Sequence, residues 1–449
     1  MRGSTLRRAA AALSAAALAL PLAACGAQGW GDTGGGNTIR VLMVNNPQMI
    51  DLQKLVGTFT KQTGIKVDFT VLPEDDLRDK ASQEFSSQAH QYDVATLSNF
   101  EIPFYSKNGW LASMSPYITK DRSFDQADIL KPIAESLTGT NGQVYGEPFY
   151  GESSFLMYRK DVFAEKGLTM PEHPTWQQVA ELAAKVDGAK PDMKGICLRG
   201  EPGWGQNLAP LTTVVNTFGG TWFNKDWTPQ VDAPAFKQAV DFYVNLTRAH
   251  GEVGAAQSGF TECLTDLEQS KVAMWYDATS AAGSLEAQGS PVAGKIGYVQ
   301  APVVKTKTSG WLYTWSWAIE QASSNKSNAW KFVSWASSKA YEELVGRKLG
   351  WARVPAGYRS SLYSNPQYLK SASAFAKPTL TSIQNADPEN PGVQPRPTIG
   401  IQFVDIPEFT DFGTKVSQDI SSVIAGKESV DSALGHGQDL ASEVAGTYR

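Results

Sequence analysis

Polar side chains suited to hydrogen-bonding chemistry stand at the ends of short β-rich runs in this 449-residue chain. The set comprises Asn46, Glu101, Arg199 and Asp277. Carboxylate and amide oxygens accept hydrogen bonds, and an arginine guanidinium donates them from a rigid fork. Because open α/β sheets bind ligands beyond the carboxyl ends of their strands, these positions predict a ligand site.

Two carboxylates, Glu101 and Glu152, also allow an enzymatic interpretation, since glycoside hydrolysis uses a carboxylate pair. Other enzyme signatures are missing from the sequence: GxSxG, HExxH, a P-loop and a GxGxxG that follows a strand. The four histidines lack the spacing of metal ligands and no CxxC occurs, so no metal site is expected.

Tryptophan is frequent, with 13 residues, and some of it follows a pattern. In the run 311–319, Trp311, Trp315 and Trp317 alternate with smaller residues, so a strand there carries them on one face. Such a face either packs into a core or lines a site. Trp204 lies in the glycine-rich turn 200–205, whose glycines allow close approach to a ligand. The alternative is a surface turn with a packed tryptophan.

Composition excludes several classes of protein. Hydrophobic residues make up 42% of the chain and charged residues 19%, which is typical of a globular protein and not of a disordered one. The net charge is −5 and no run of Lys or Arg occurs, so no nucleic-acid partner is expected. After residue 25, no apolar stretch has the length that crosses a bilayer.

The first residues are typical of an export signal. Residues 1–24 combine an arginine-containing start with an apolar stretch at 9–22, which indicates a secretory signal peptide. The segment Leu-Ala-Ala-Cys that ends at Cys25 resembles the lipobox of bacterial lipoproteins, in which the cysteine is lipidated. An ordinary cleavage site with an incidental cysteine is the alternative. Residues 25–37 then form a glycine-rich flexible tether.

Two cysteines remain once Cys25 is set aside, Cys197 and Cys263. An even pair in an exported protein indicates one disulfide. Two buried free thiols are the alternative.

Alternating strand and helix patterns predict an α/β fold with a parallel sheet near the N-terminus and a second unit that begins near residue 150. The expected strands are 38–44, 65–72, 92–97, 195–199, 271–276 and 311–319. The expected helices are 49–64, 76–89, 176–186, 234–249, 329–345 and 414–425.

Several segments together resemble the extracellular solute-binding proteins of ABC importers, in the carbohydrate-binding group that includes maltose-binding proteins. They are 146–150 (GEPFY), 156–161 (LMYRKD), 271–277 (KVAMWYD), 329–333 (AWKFV) and 426–434 (GKESVDSAL). Three further segments resemble the sorbitol/mannitol-binding branch of that group. They are 196–205 (ICLRGEPGWG), 277–279 (DAT) and 400–409 (GIQFVDIPEF).

The resemblance implies a two-lobed periplasmic-binding-protein-like fold of type II, with a cleft between lobes that crossing hinge segments join. Lobe 1 is expected to comprise 38–148 plus 305–350, and lobe 2 to comprise 149–304 plus 351–449.

A polyol ligand needs hydrogen-bond acceptors, arginine donors and aromatic faces for its C–H surfaces. The expected ligand-binding residues are Asn46, Glu101, Tyr150, Glu152, Arg199, Trp204, Asp277, Trp311, Trp315 and Arg353. For Asp277 the alternative is a helix N-cap, for Glu101 and Glu152 a solvated surface, and for Arg353 a carboxylate partner. Arg199 is expected to bind ligand without supporting the core of its lobe.

The resemblance further implies a receptor without a cofactor, and we expect a monomer. The lipobox-like segment at Cys25 predicts that a lipid holds it on the extracytoplasmic face of the cell membrane. Its ligand would be a sugar alcohol or small sugar, and its partners the ABC permease and ATPase subunits. Because capture involves no chemistry, the protein is not expected to be an enzyme. A secreted glycoside hydrolase that uses Glu101 and Glu152 is the alternative.

Overall fold

A computed structural model describes residues 36–449. The signal peptide, Cys25 and nearly all of the tether therefore lie outside the described residues. The strands are β1 Thr38–Val44, β2 Lys66–Leu72, β3 Val94–Ser98, β4 Glu147–Glu152, β5 Ser154–Arg159, β6 Met274–Ala278, β7 Ile296–Gln300 and β8 Tyr313–Ile319.

Helices of varied length cover the strands. They are α1 Pro47–Thr63, α2 Glu74–Ser87, α3 Glu101–Lys107, α4 Ser115–Lys120, α5 Lys131–Ser136, α6 Lys160–Glu165, α7 Trp176–Val186, α8 Leu208–Phe218, α9 Pro234–His250, α10 Phe260–Glu268, α11 Ala282–Leu285, α12 Lys326–Ala336, α13 Lys339–Leu349, α14 Pro366–Ser371, α15 Ala376–Gln384, α16 Phe409–Ile424 and α17 Val430–Ala445. Single 3₁₀ turns occur at Arg122–Phe124, Gln126–Asp128, Ala255–Gln257, Thr279–Ala281, Trp351–Arg353 and Ser361–Ser364.

The first sheet has five strands in the order β2-β1-β3-β8-β4. Strands β1, β2 and β3 are parallel, as the strand–helix alternation predicted, whereas β8 is antiparallel to both β3 and β4. Strand β8 comes from a later part of the chain, so local patterns gave no sign of its direction. We call this sheet with its helices the first lobe.

The second sheet has three antiparallel strands in the order β6-β5-β7, and with its helices it forms the second lobe. The two-lobed α/β fold is thus the one expected. The predicted strand at 195–199 is wrong: this segment touches the sheet only through isolated bridges such as Cys197 to Trp275. The predicted helix 329–345 is divided into α12 and α13, because Ser338 caps a new helix by accepting a hydrogen bond from the Tyr341 N–H.

Capping residues explain where the predicted helices begin and end. Helix α1 starts with Pro47 in its first turn and ends at Gly64, whose φ of 73° suits glycine. Helix α7 starts with a capping box in which Thr175 and Gln178 bond each other's backbone N–H groups.

The three crossings between the lobes come later than the predicted boundaries at 148, 304 and 350. Strand pairing locates the first crossing, and hydrogen bonds and side-chain packing locate the other two. Strand β4 stays in the first sheet, and the chain crosses at Ser153. On the way back, the Lys305 N–H still donates to the Thr217 carbonyl of the second lobe. Arg359 packs on Phe124 and donates to the Ser337 carbonyl, both in the first lobe. Only one residue separates β4 from β5, so the sequence shows a single β-rich run there.

The predicted disulfide between Cys197 and Cys263 is present in the second lobe. Both cysteines are fully buried, and the bridge ties the segment before Arg199 to helix α10. Among residues 36–449, no helix has the length and apolarity needed to cross a membrane.

We expect the variant Cys197→Ala/Cys263→Ala to lose about 4 kcal/mol of unfolding free energy, because the crosslink spans a sequence separation of 66 and restricts the unfolded chain. Urea denaturation of the oxidised proteins measures the loss. Wild-type protein unfolded with and without a reducing agent is the control, since it changes no side chain in the core. A reduced wild type as stable as the oxidised form would contradict the prediction.

Candidate functional site

A cavity of about 410 Å³ lies between the two sheets. Both lobes supply its walls, and six of the ten predicted ligand residues line it: Asn46, Tyr150, Glu152, Arg199, Trp311 and Trp315. The other four, Glu101, Trp204, Asp277 and Arg353, do not line this cavity.

Arg78 is the central cationic group on the first-lobe side, and the sequence reasoning missed it. Its guanidinium donates to the carboxylates of Glu74 and Glu101, each at 2.6 Å, and to the Tyr313 hydroxyl at 2.6 Å. One face of the group lies 5.2 Å from the ring of Trp315. Three fixed acceptors and a ring thus hold a side chain that is only 7% exposed.

A signal for Glu74 and Arg78 was present in the sequence. The ends of strands β1 and β3 predicted Asn46 and Glu101 as site residues. Strand β2 belongs to the same sheet, runs parallel to β1 and ends two residues before Glu74. The same rule about carboxyl ends of strands therefore applies to β2. Arg78 follows one helical turn after Glu74, on the same face of α2.

Glu101 supports the site from behind the cavity wall. It is 5% exposed and accepts hydrogen bonds from Arg78 and from the N–H and hydroxyl of Ser98. Its placement orients Arg78, and it does not face Glu152 in a shared cavity.

On the second-lobe side, Arg199 forms a two-point ion pair with Asp277, with nitrogen–oxygen distances of 2.6 and 2.7 Å. Asp277 is fully buried and also accepts from the Trp275 indole N–H at 3.1 Å. Asp277 therefore orients Arg199, and it neither caps a helix nor reaches the cavity.

This pairing corrects the expectation that the lobe core does not depend on Arg199. Removal of Arg199 leaves the buried Asp277 carboxylate without its cation, a situation that typically costs about 3–5 kcal/mol. Arg199 thus lines the cavity and also supports the fold of its lobe.

Tyr150 and Glu152 lie two residues apart on β4, and both line the cavity. The Asn46 amide donates to the Tyr150 hydroxyl at 2.8 Å, and the Ser280 hydroxyl donates to Glu152 at 2.5 Å. Burial raises the pKa of the Glu152 carboxyl to about 8, although the Ser280 hydrogen bond and the Arg199 charge both lower it. The raised pKa favours the protonated carboxyl, which can both donate and accept hydrogen bonds.

The tryptophans of the run 311–319 divide between site and core. Trp311 and Trp315 line the cavity, whereas Trp317 packs between Phe149 and Phe332 in the first lobe. The indole N–H groups of Trp311 and Trp317 have no acceptor among the described residues, and both side chains are buried.

Arg353 pairs with Asp51 at 2.6 Å, which was the alternative considered for it. It lines a neighbouring cavity of about 420 Å³ that shares Tyr150 and Ser280 with the first. Trp204 packs against Arg78, with the guanidinium carbon 3.9 Å from the ring centre.

Gln402 and Phe403 also line the cavity, and the sequence reasoning did not place them there. They belong to the segment 400–409 that carried part of the resemblance, but no helix or strand pattern located it. Gln402 donates to the Leu312 carbonyl at 2.9 Å, next to β8. Contacts of this kind between distant segments cannot be read from local patterns.

Comparison with known proteins gives a consistent result. The sequence profile of bacterial extracellular solute-binding proteins matches residues 46–343. A mannitol-binding protein of Pseudomonas aeruginosa is 40% identical over 432 residues, which is 95% of each chain. An erythritol/L-threitol-binding protein of Mycolicibacterium smegmatis is 28% identical over 362 residues, covering 72% of this chain and 75% of the other.

A solved structure agrees with the sequence relatives. The ABC transporter solute-binding protein of Agrobacterium vitis, with bound D-mannitol, superposes with a TM-score of 0.89 at 43% identity and covers 92% of this chain and 99% of that one. These relatives are binding proteins and not enzymes. The chain therefore belongs to the family of bacterial extracellular solute-binding proteins and acts on the extracytoplasmic side.

Proposed function

We propose that this protein captures a linear sugar alcohol of the mannitol or sorbitol type in the cavity and delivers it to an ABC permease. The observation that carries the proposal is the cavity lining, in which two paired arginines, Glu74, Glu152 and the faces of Trp311 and Trp315 converge. The relatives that bind mannitol support the same ligand class.

The ion pairs favour a neutral ligand. Arg78 is paired with Glu74 and Glu101, and Arg199 is paired with Asp277. Because neither arginine has a free charge to offer, a phosphate or carboxylate gains little there and loses its hydration. Hydroxyl groups instead use the remaining donor and acceptor positions.

Aromatic rings complete the fit. The C–H faces of an extended alditol are apolar, and Trp311, Trp315 and Phe403 offer flat surfaces on the cavity wall. Since these rings and the polar groups come from both lobes, a bound polyol holds the lobes together, and the permease recognises that closed form.

We expect wild-type protein to show a saturable change in tryptophan fluorescence with mannitol or sorbitol, because rings line the cavity. Isothermal calorimetry gives the affinity, and chromatography should recover the alditol unchanged. Mannitol 1-phosphate is the control for charge and should bind at least tenfold more weakly. No response to any alditol of four to six carbons would contradict the proposal, and consumption of a glycoside would favour the hydrolase alternative.

In the wild type, the indole N–H of Trp311 has no acceptor among the described residues, and we expect it to donate to a ligand hydroxyl. The variant Trp311→Phe lacks this donor and should bind the alditol about 0.5–1.5 kcal/mol more weakly, the scale of one hydrogen bond. Trp317→Phe is the matched control, since Trp317 is equally buried and unpartnered but lies in the core. Calorimetry on both variants measures the difference. Equal affinities in the two variants would contradict the role of Trp311.

Glu152 should make wild-type stability depend on pH. Its pKa rises from an ordinary 4.5 to about 8 on folding, so the folded state binds the proton more tightly than the unfolded state. The stabilisation is complete below about pH 4.5 and is lost as the pH rises towards 8. Glu152→Gln should lack this component. Urea denaturation at pH 5 and pH 8 should show wild type losing more unfolding free energy than the variant; parallel losses would contradict the prediction.

We also propose that Cys25 carries a lipid that anchors the protein. Support comes from the apolar stretch 9–22 and the Leu-Ala-Ala-Cys segment, which resemble a lipoprotein signal. Cys25→Ala should shift the protein from the membrane fraction to the soluble fraction or leave it unprocessed, as immunoblots of fractionated cells would show. Unchanged membrane retention of a processed variant would contradict the anchor.

A further inference from the structure

Trp204 stands between the ligand cavity and a second, larger space. That space is a groove of about 1440 Å³ at the lobe interface, and Trp204 lines it. Arg78 lines both the groove and the ligand cavity. The layer formed by Arg78, Trp204 and Phe403 is therefore a wall with the cavity on one side and the groove on the other.

The wall is tightly packed. The ring centre of Trp204 lies 3.9 Å from the Arg78 guanidinium, 4.6 Å from the ring of Phe100 and 4.9 Å from that of Phe403. Trp204 itself is only 5% exposed. Two of these partners, Arg78 and Phe100, belong to the first lobe, so the wall forms where the lobes meet.

Glycines in the 200–205 turn allow the wall to form. A Cβ atom on Gly203 would lie 2.8 Å from the Asp75 carboxylate, and one on Gly205 would lie 2.5 Å from that of Glu74. Gly203 also has a φ of 143°, which favours glycine. The turn therefore carries Trp204 close to helix α2, and a side chain at either glycine would have to displace one of these carboxylates.

The groove beyond the wall has the chemistry of a carbohydrate surface. Phe104, Tyr105 and Trp110 line it with aromatic rings, and Asp79, Asn108 and Asp411 line it with hydrogen-bond acceptors. Rings and neutral or acidic acceptors suit the C–H faces and hydroxyls of a sugar ring, as they do in the ligand cavity. Its entrance side is open, since Asp79, Asn108 and Asp411 are exposed.

We propose that Trp204 determines the length of ligand that the protein accepts, by closing the cavity at the end that faces this groove. With Trp204 present, a single alditol fills the cavity. Without it, the cavity joins the groove, and a glycosyl unit attached to the end of the alditol occupies the groove. This inference rests on the proposed function, since it takes an alditol as the ligand of the cavity.

The test compares wild type and Trp204→Ala by calorimetry with two probes: the free alditol, and the same alditol with a glucosyl group on its terminal oxygen, such as 1-O-glucosylmannitol. We expect wild type to bind the free alditol and to bind the glucosyl derivative at least 100-fold more weakly. Trp204→Ala should bind the derivative at least tenfold more tightly than wild type does. A gain of binding is a result that simple damage to the fold cannot give.

Trp222→Ala is the matched control. Trp222 is equally buried in the second lobe and packs on Phe409 and Phe412, but it lines neither space. It should gain no affinity for the derivative. If Trp204→Ala does not fold, Trp204→Leu and Phe403→Ala test the same wall, since each removes ring surface from it.

Each outcome decides a question. A wild type that binds no alditol would overturn the proposed function and this inference together. A wild type that binds the alditol, with wall variants that gain nothing for the glucosyl derivative, would overturn this inference alone. A wild type that binds both probes equally would also overturn this inference alone, because the wall would then not limit the length of the ligand.

Discussion

The pairing of buried charges within each lobe is the constraint on which the cavity depends. Arg78 is satisfied by Glu74 and Glu101 of the first lobe, and Arg199 by Asp277 of the second. An unpaired charge at these depths would cost several kcal/mol. Because each lobe neutralises its own arginine, the lobes can separate without leaving a buried charge unpaired, and the donors stay oriented before a ligand arrives.

Contacts across the cleft include ring contacts and hydrogen bonds. Arg78 stacks on Trp204, Phe100 packs against Trp204, the Gln48 amide donates to the Ser280 carbonyl at 3.2 Å, and the Ser280 hydroxyl donates to Glu152 at 2.5 Å. A cation–π contact contributes about 0.5–2 kcal/mol, less than the disruption of a buried ion pair. Closure held by such contacts is readily reversed, so the affinity difference of the ligand for the closed and open forms can decide the equilibrium.

The elements that position the site follow from local sequence, but the partners of the site residues do not. The alternation of strands and helices predicted β1, α1 and β2 closely, and the end of β1 led to Asn46. Arg199 was located from a predicted strand at 195–199 that the structure does not form. The partner of Arg199, Asp277, was also found, yet as a second ligand residue, because side-chain type and strand position are the same for a ligand contact and for its support. Burial separates the two roles, and burial depends on how distant segments pack.

Glu152 shows how the cavity can match hydroxyl groups without a fixed charge. Burial, with Asp277 and Glu74 nearby, raises its pKa to about 8, while Ser280 occupies one carboxyl oxygen. A protonated carboxyl donates one hydrogen bond and accepts others, as a hydroxyl does. The two arginines of the cavity are already paired and can only donate. The protonated Glu152 carboxyl can donate a hydrogen bond to a ligand hydroxyl or accept one from it. A site built from ionised acids alone could accept from hydroxyls but could not donate to them, so this neutral acid completes the match to a polyol.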